Sequence, residues 1–540
     1  RQGGHDPAVS GRGSRGGFRL PRRRYIAAFL AVLVTIVIVV AYGARRDAAP
    51  FAGIEGELLN WRFLVRGPIA PSRKVALVIV DDKSIAALKG WPISRKWIDE
   101  AESRMSRDGA RAIAIDLILT QKGRQIDPEG DNRLLQAMGA HNRVVFPLAF
   151  QFKTTGDAAP SDPISTHAIK SLVLRPGAHA ILPVQPVGVL APSAAYLAVG
   201  GAGHVNFFVS SDGAVRWIHL ALPYGDNHYA ALPLELFRLF HGLSPGEMSV
   251  VLGDGVRLGE RFVTTDALTR IGVNYLGPKE TLSRVSLIDL LNDRVPRGFF
   301  KDRAVLIGVE ASGVGDAFGT PFERRFAGVA LLATVTENLL EGRWLRRGEA
   351  ATAVDIAAML LVGFLVAALL AWGLAGGAIL ALTVAAVALP VTAQIVFEHA
   401  NLWINLALPL LQMATLAVLA ILFLLFGEHR ARRRAEVRSR ELGRFVSPLV
   451  QRHLDASGAR RAGRDGGMPE QVRTVLAIAM FVDVRGFTRL SQDLPPADVA
   501  AWMRRLHAHI EETVGRFDGV VDKYIGDGVL ALFGIAGATP

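Results

Sequence analysis

A chain of 540 residues is long enough for several domains, and half of its residues are apolar, which is high for a protein that is soluble throughout. The formal charge of +12 comes largely from arginine clusters beside apolar segments. Such clusters are typical topology signals, so no nucleic-acid partner is expected. The chain has no cysteine, which excludes disulfides and thiolate metal sites. It lacks a starting methionine and ends inside a patterned segment, so we expect a fragment at both ends.

Four apolar segments of about 20 residues predict membrane-spanning helices. The first, residues 25–44, follows a basic tail, residues 1–24. A cleaved signal peptide is the alternative, but its apolar region is usually only about 7–15 residues long. The other three segments are residues 353–372, 377–397 and 402–426.

Arginines at the two ends of this membrane region predict its topology. They precede the first span and follow the last, so both chain ends are expected in the cytoplasm of a multi-pass protein of the cell (inner) membrane. Residues 46–348 then lie outside the cytoplasm. Three arginines before the second span oppose this arrangement weakly, because charges in long translocated segments count for less: Arg343, Arg346 and Arg347.

The long segment between the first two spans, residues 46–348, alternates between strand and helix patterns. Helical spacing of apolar residues covers 93–107 and 329–340. Four short β-branched runs predict buried strands, namely KVALVIVDD, ARAIAIDLIL, NRVVFPLAF and RAVLIGVE. This alternation favours an α/β domain with a largely parallel sheet.

Two aspartates follow strands of this domain. Asp82 and Asp116 would lie at the carboxyl edge of the sheet, where such sheets bind ligands. The alternative is that they cap the next helix or turn, as aspartate commonly does.

Several stretches of residues 55 to 345 resemble, in order, the second of the CHASE families of extracellular sensors. They are VDDKSIAALKGWPISR, GARAIAIDLIL, GHVNFFVSSDGAVRW, VNYLGP, VLIGVEASGVGDAFGTPF and GVALLATVTENLL. The family's usual aspartate-arginine pair near the start reads Asn60-Trp61-Arg62 in this chain. The resemblance implies an extracytoplasmic sensor for a ligand that it does not identify.

A cytoplasmic linker, residues 427–470, follows the last span. Its apolar residues Leu442, Phe445, Val446, Leu449 and Val450 have helical spacing. They either pack on the next domain or form a dimer seam that carries a signal from the membrane. RFVSP resembles the segment that precedes the catalytic domain in many class III cyclases, which favours the dimer seam.

The last segment, residues 471–540, begins with a strand pattern that predicts a buried strand ending at Asp483. A helix is predicted next from residues at helical spacing: Val499, Met503, Leu506, Ile510 and Val514. A hairpin with Asp527 in its glycine-flanked turn follows. If the first strand and the hairpin pair, both carboxylates share one sheet edge and offer hard oxygen ligands to Mg²⁺ or Mn²⁺. Aspartates at such positions are also commonly structural.

FVDVRGFT and DKYIGDGVLALFG, with their separation, resemble the opening half of a class III nucleotide cyclase catalytic domain. The resemblance implies the N-terminal part of an α+β, ferredoxin-like domain. It also implies that Asp483 and Asp527 bind two metal ions, with the backbone of Val484 as a further ligand. The backbone of Gly486, Phe487 and Thr488 would lie under the phosphates, where Arg485 could assist.

Lys523 falls on the family's purine-reading lysine, and a lysine there implies ATP, because guanylate-making members usually have an acid. The family works as a homodimer, in which the acids of one protomer face the purine-reading lysine of the other. Its transition-state asparagine and arginine would come after Pro540, so the chain by itself is expected to be inactive. The resemblance thus predicts a receptor-type adenylate cyclase in contact with membrane lipid.

Four alternatives remain open at this point. A guanylate cyclase and a catalytically dead receptor share the same architecture. A histidine kinase is disfavoured because His429 and His453 lack the acidic neighbour and later proline of a phosphoacceptor helix. A transporter is disfavoured because the spans show no repeat and their polar residues suit hydrogen bonds between helices. These residues are Thr383, Gln394, Asn405 and Gln412.

Overall fold

The computed structural model describes residues 22–45, 51–119, 128–141, 143–152, 163–174, 185–210, 212–443 and 476–534. The chain divides into two compact units, one up to Ile421 and one from Leu422 onwards. The helices of the first unit are α1 (Arg22–Arg45), α2 (Phe51–Arg66), α3 (Asp82–Ala87), α4 (Arg95–Arg107), α5 (Pro128–His141), α6 (Ala194–Val199), α7 (Leu232–Phe240), α8 (Leu287–Leu291), α9 (Gly328–Glu341), α10 (Glu349–Trp372) and α11 (Ala375–Ala400). The next helix, α12 (Ala407–Gly443), begins in the first unit and ends in the second.

The strands of the first unit are mostly short. They are β1 (Val75–Val80), β2 (Ala112–Ile115), β3 (Val144–Gln151), β4 (Ser171–Leu174), β5 (Gly188–Leu190), β6 (Gly201–His204), β7 (Trp217–His219), β8 (Ala221–Tyr224), β9 (Asn227–Ala230), β10 (Met248–Leu252), β11 (Gly255–Leu258), β12 (Arg261–Thr264), β13 (Arg270–Gly272), β14 (Ser283–Ser286), β15 (Ala304–Val309), β16 (Ala317–Phe318) and β17 (Phe326–Ala327).

A seven-stranded sheet organises this unit, in the order β14-β1-β15-β2-β3-β5, with β6 also paired to β3. Every pairing in it is parallel except that of β3 with β5. The predicted α/β domain with a largely parallel sheet is therefore confirmed. A second sheet has the order β12-β11-β10-β4, and β7–β13, β8–β9 and β16–β17 form two-stranded pairs.

Helices cover both faces of the central sheet, which explains why β1 is apolar at every position. Val75, Leu77 and Ile79 share one core cluster with residues of α7 and α9. Ala76, Val78 and Val80 share the other cluster with residues of α4 and α8. Each fully buried side chain of this kind contributes about 1.5–3 kcal/mol relative to an exposed one.

Four helices of the described residues are long and apolar enough to cross a membrane: Arg24–Ala44, Glu349–Trp372, Ala375–Ala400 and Ala407–Arg433. They correspond to the four predicted spans. Gln412 Nε2 donates to Thr35 Oγ1 (3.2 Å) and to the Met359 backbone oxygen (2.8 Å), which links three of these helices. This contact is the hydrogen bonding between helices that was expected of Gln412.

The second unit contains a three-stranded antiparallel sheet in the order β18-β20-β19. Its elements after α12 are β18 (Ile478–Val482), α13 (Phe487–Gln492), α14 (Pro496–Arg516), β19 (Gly519–Ile525) and β20 (Gly528–Phe533). The strand, helix and hairpin predicted for this segment are all present. The linker stripe at 442–450 falls on residues whose side chains the structure does not describe.

Candidate functional site

The two aspartates of the second unit lie at the same end of adjacent strands. Val482, the last residue of β18, pairs with Val529 of β20, and Asp483 follows directly. Asp527 lies in the turn that joins β19 to β20, two residues before Val529. A Cβ built at Gly528 would come within 3.4 Å of Asp483 Oδ1, so that carboxylate lies beside the turn that carries Asp527.

The strand before Asp483 differs from its prediction in one respect. Ile478 and Phe481 are 71% and 72% exposed, so the expectation of a buried strand was wrong. The physical reason is position. β18 forms one edge of the sheet, and α14 packs on β19 at the other edge.

The backbone after Asp483 makes a tight turn into α13. Gly486 has φ of 81°, a left-handed conformation that glycine adopts without strain. The Gly486 carbonyl accepts from the backbone N–H groups of Arg489 and Leu490, both at 3.0 Å. The ring of Phe487 stacks on that of Trp502 in α14, with ring centroids 6.2 Å apart. The turn from Val484 to Thr488 therefore begins at the sheet edge that carries the two aspartates.

Lys523 lies on β19, two residues before the end of that strand, and pairs with Leu530 in register. A register shift between Val521 and Lys523 marks a bulge at Asp522. The Lys523 side chain is 60% exposed, and its Nζ lies 3.7 Å from Asp522 Oδ2. The ammonium group is therefore accessible from outside this chain.

In the first unit, the two successive aspartates after β1 make different contacts. Asp81, which the sequence reasoning passed over, is the N-cap of α3 and accepts from Ser84 N at 2.8 Å. Asp82 instead accepts from the backbone N (2.9 Å) and Oγ (3.1 Å) of Ser312, in the loop after β15. Asp82 thus ties two strand-end loops together at the carboxyl edge of the sheet.

Asp116 follows β2 at the same edge and is partly buried. Burial, with a smaller contribution from the nearby charge of Asp316, raises the pKa of its carboxyl to about 7. Sequence reasoning did not single out Asp316, although it lies within the stretch VLIGVEASGVGDAFGTPF that carries the sensor resemblance.

Two buried histidines were also missed. Burial lowers the pKa of both His204 on β6 and His219 on β7 to about 3, so both rings are neutral at pH 7. Single histidines within short strand patterns carry no sequence signal that distinguishes them from surface histidines.

A joint connects the α/β domain to the membrane helices, in the connection between α11 and α12. Trp403 stacks on Trp217 of β7, with ring centroids 5.0 Å apart, and donates from Nε1 to Glu55 Oε1 (2.7 Å). Arg62 Nη2 donates to the Ile404 carbonyl (2.7 Å). Arg62 belongs to the Asn60-Trp61-Arg62 stretch in which the chain departs from the family pattern. The start of the last span is thereby fixed to α2 and to the α/β domain.

Comparison with known families settles what this first unit is. The family model of the CHASE2 domain matches residues 31–378, which is more than half of the chain. The chain belongs to the CHASE2 family. CHASE2 domains are extracellular sensor domains, so the match supports a membrane-bound signalling receptor.

Similarity to curated relatives is shorter. The chain is 33% identical over 91 residues to an uncharacterized protein of Mycobacterium tuberculosis, covering 17% of this chain and 16% of the relative. It is 33% identical over 54 residues to an adenylate cyclase of Anabaena cylindrica, covering 10% of this chain and 11% of the relative. The chain therefore spans less than a fifth of the length of the curated relatives it matches.

Proposed function

We propose that this CHASE2 protein is a receptor-type adenylate cyclase that converts ATP to 3′,5′-cyclic AMP and pyrophosphate. The observation that carries the proposal is the position of Asp483 and Asp527 at one end of adjacent strands. The similarity to a named adenylate cyclase supports it. In this reaction the 3′-oxygen of ATP bonds to the α-phosphorus, pyrophosphate leaves, and the hydroxyl proton is released to water.

The donor set at this edge suits hard divalent cations. Asp483 is exposed and Asp527 is partly exposed, so both carboxylates can exchange bound water for a metal ion. Carboxylate and phosphate oxygens are the ligands that Mg²⁺ and Mn²⁺ prefer. Two such ions, when bound, would activate the attacking hydroxyl and neutralise phosphate charge. In the proposal the Val484 carbonyl adds a third oxygen.

The turn that follows Asp483 is proposed to hold the phosphates. Gly486 carries no side chain above the backbone, and a Cβ built there would meet no atom of the described residues within 4 Å. This open surface lets phosphate oxygens approach the backbone of Gly486, Phe487 and Thr488. The role of this turn would be to orient the triphosphate toward the two aspartates, with Arg485 as an additional cation.

Lys523 is proposed to read the purine of a nucleotide held by the acids of a partner subunit. An ammonium group donates hydrogen bonds and therefore suits a ring-nitrogen acceptor of adenine. Its exposure on β19 supports a role toward a second chain. A homodimer with two such shared sites follows from twofold symmetry.

Regulation is proposed to pass from the CHASE2 domain through the joint at Trp403 into α12. A sensor ligand would act by favouring one arrangement of this joint, within the limit of its differential affinity for the two arrangements. Asp82 and Asp116 remain candidates for contact with that unidentified ligand, since both lie at the carboxyl edge of the parallel sheet.

The proposal places the CHASE2 domain outside the cytoplasm of a cell (inner) membrane and the second unit inside. Reporter fusions after Ala44 and Gly348 should report the outside, and a fusion after Arg440 should report the inside. The arginines on either side of the membrane region motivate this expectation. A reversed result at either end would remove the sensor-to-cyclase arrangement.

The test of catalysis replaces Asp527 with asparagine in the full-length protein. Cyclic AMP formation should fall by more than about 100-fold, since even groups that only support a metal ligand are usually worth 10–100-fold. Asp518→Asn is the matched control, because Asp518 is exposed at the opposite end of the same hairpin. Its left-handed backbone, with φ of 57°, also tolerates asparagine.

Equal activities of the Asp527→Asn and Asp518→Asn proteins would contradict the proposed metal site. Absence of cyclase activity in the unaltered full-length protein, with both units folded, would instead favour a receptor that signals without catalysis. GTP turnover exceeding ATP turnover would favour a guanylate cyclase.

A further inference from the structure

Helix α2 exposes several large apolar side chains while it buries two charged ones. Glu55 and Arg62 are each 3% exposed and face the protein. Ile54, Trp61 and Val65 are 52%, 69% and 53% exposed. A helix on the surface of a water-soluble domain normally buries its apolar side and exposes its charges.

The large exposed apolar residues of α2 lie on one side of the helix, which also carries the exposed acid Glu57. Ile54, Trp61 and Val65 are separated by seven and four residues, which places them on the same side of a helix with 3.6 residues per turn. Leu64, beside them, is 55% exposed. We call these four residues the α2 apolar face. Leu58, at the margin of this face, packs in a cluster with Leu389 and Val396 of the membrane helix α11.

The depth of α2 follows from its contacts with the membrane helices. Gln394 Nε2 of α11 donates to the Arg62 carbonyl (3.2 Å), and the rings of Phe63 and Phe397 lie 5.1 Å apart. Gln394 lies six residues before the end of α11, so this contact is about 9 Å inside that end at 1.5 Å per residue. Leu389 lies about 16 Å inside the same end by the same measure. Helix α2 therefore lies beside the last turns of α11.

At the other side of α2, Glu55 reaches the start of the last span. Glu55 Oε2 accepts from the backbone N–H groups of Leu406 (2.8 Å) and Ala407 (3.0 Å), where α12 begins. These N–H groups have no partner within the helix, so the carboxylate satisfies them and complements the helix dipole. Glu55 thus has partners within the protein, and Arg62 has one through Nη2, while its Nε and Nη1 have no hydrogen-bond partner among the described residues.

The apolar surface next to α2 belongs to a span. Val391 and Ile395 of α11, at the level of the Gln394 contact, are 53% and 55% exposed. Side chains exposed on a membrane helix at this depth contact acyl chains. The α2 apolar face lies at the same level, and its tryptophan is a residue that prefers the boundary between acyl chains and headgroups.

We infer that α2 is an interfacial membrane helix whose apolar face, Ile54, Trp61, Leu64 and Val65, lies in the phospholipid leaflet on the CHASE2 side. Its occupant is the acyl and headgroup boundary of that leaflet, as for other amphipathic interfacial helices. Glu55 of this interfacial helix accepts hydrogen bonds from the backbone at the N-terminus of α12. The inference is independent of cyclase activity and holds for any output of the second unit.

The chain has no cysteine, which allows a direct test by single-cysteine variants. Trp61→Cys and Val65→Cys proteins carrying a nitroxide label are placed in phosphatidylcholine–phosphatidylglycerol vesicles. Collision of the label with oxygen, which concentrates in lipid, is compared with collision with a water-soluble nickel chelate. Val391→Cys gives the reference for lipid contact. Val173→Cys on β4, 45% exposed on the α/β domain, gives the reference for water.

The ratio of oxygen to nickel collision at residues 61 and 65 should match that at residue 391 and exceed that at residue 173 several-fold. A ratio equal to that at residue 173 would show that the α2 apolar face is in water. Low collision rates with both reagents would show that protein covers it, either a second copy or another partner. Either result overturns the inference. Ile54→Cys supplies another position on the same face if the loss of Trp61 prevents folding.

Discussion

Aspartates follow strands in both units, but the two sheets give them different surroundings. Asp116 follows β2, which has β15 and β3 as neighbours and helices on both faces of its sheet. Asp483 follows β18, an edge strand whose residues Ile478 and Phe481 are largely exposed. The first carboxyl is partly buried, which raises its pKa to about 7, whereas the second carboxyl is exposed.

The difference shows that the layers around a strand, and not the strand itself, decide the chemistry of the acid at its end. A carboxylate that keeps its water can exchange that water for a cation, which can also bind phosphate oxygens. A carboxyl that has lost much of its water favours the protonated form and gains little from staying charged. Catalysis is therefore proposed for the edge of the second sheet, and a sensing role for the edge of the first.

The largest expected effect is the loss of cyclase activity when a residue at the exposed sheet edge is replaced. In the proposal this edge is active only together with a partner chain. Full-length Asp527→Ala and Lys523→Ala proteins should each be inactive, and co-expression should restore activity. A mixed dimer has one site with both lesions and one intact site, so random pairing predicts about a quarter of the unaltered activity for two symmetry-related sites. Cyclic AMP formation by the co-purified mixture is the measurement.

Asp527→Ala mixed with Asp483→Ala is the matched control for this experiment. Both lesions affect the acids, so each site of a mixed dimer receives one damaged acid pair and no activity should return. Activity in this control, or none in the Asp527→Ala and Lys523→Ala mixture although mixed dimers form, would contradict the shared site.

A smaller effect is expected for nucleotide choice. Lys523→Glu replaces a hydrogen-bond donor with an acceptor, so the adenine edge loses its partner. Loss of such a pair costs about 1–3 kcal/mol, which corresponds to about a 5- to 150-fold fall in the ratio of ATP to GTP turnover. Arg504→Glu, the same charge reversal on an exposed part of α14, should leave the ratio unchanged. An equal change in both variants would indicate a general effect of charge.

The smallest effect concerns the stability of the CHASE2 domain. The raised pKa of Asp116 means that its contribution to stability is fully present below about pH 4 and is lost as the pH rises to about 7. Asparagine does not titrate. The unfolding midpoint of Asp116→Asn relative to the unaltered protein should therefore rise between pH 5 and pH 8. Parallel midpoints across this range would show that Asp116 is not held in a desolvated site.

Periodicity and residue type were sufficient to predict the regular elements. The apolar runs of β1 and β2 specify strands buried on both faces, and the glycine-flanked turn at Asp527 specifies a hairpin. Four apolar segments of membrane-spanning length appear as four helices. These features are local, because a period of two, a period of 3.6 and a length of about 20 apolar residues each have one stable interpretation.

Tertiary structure decided what those elements face. β15 inserts between β1 and β2 from nearly 200 residues further along the chain, and its following loops bring Ser312 to Asp82 and Asp316 toward Asp116. The exposure of β18 and of the α2 apolar face depends on which distant residues cover each side. Apolar spacing predicts that a helix has two different sides. Whether protein, water or lipid meets each side depends on neighbours that no local pattern contains.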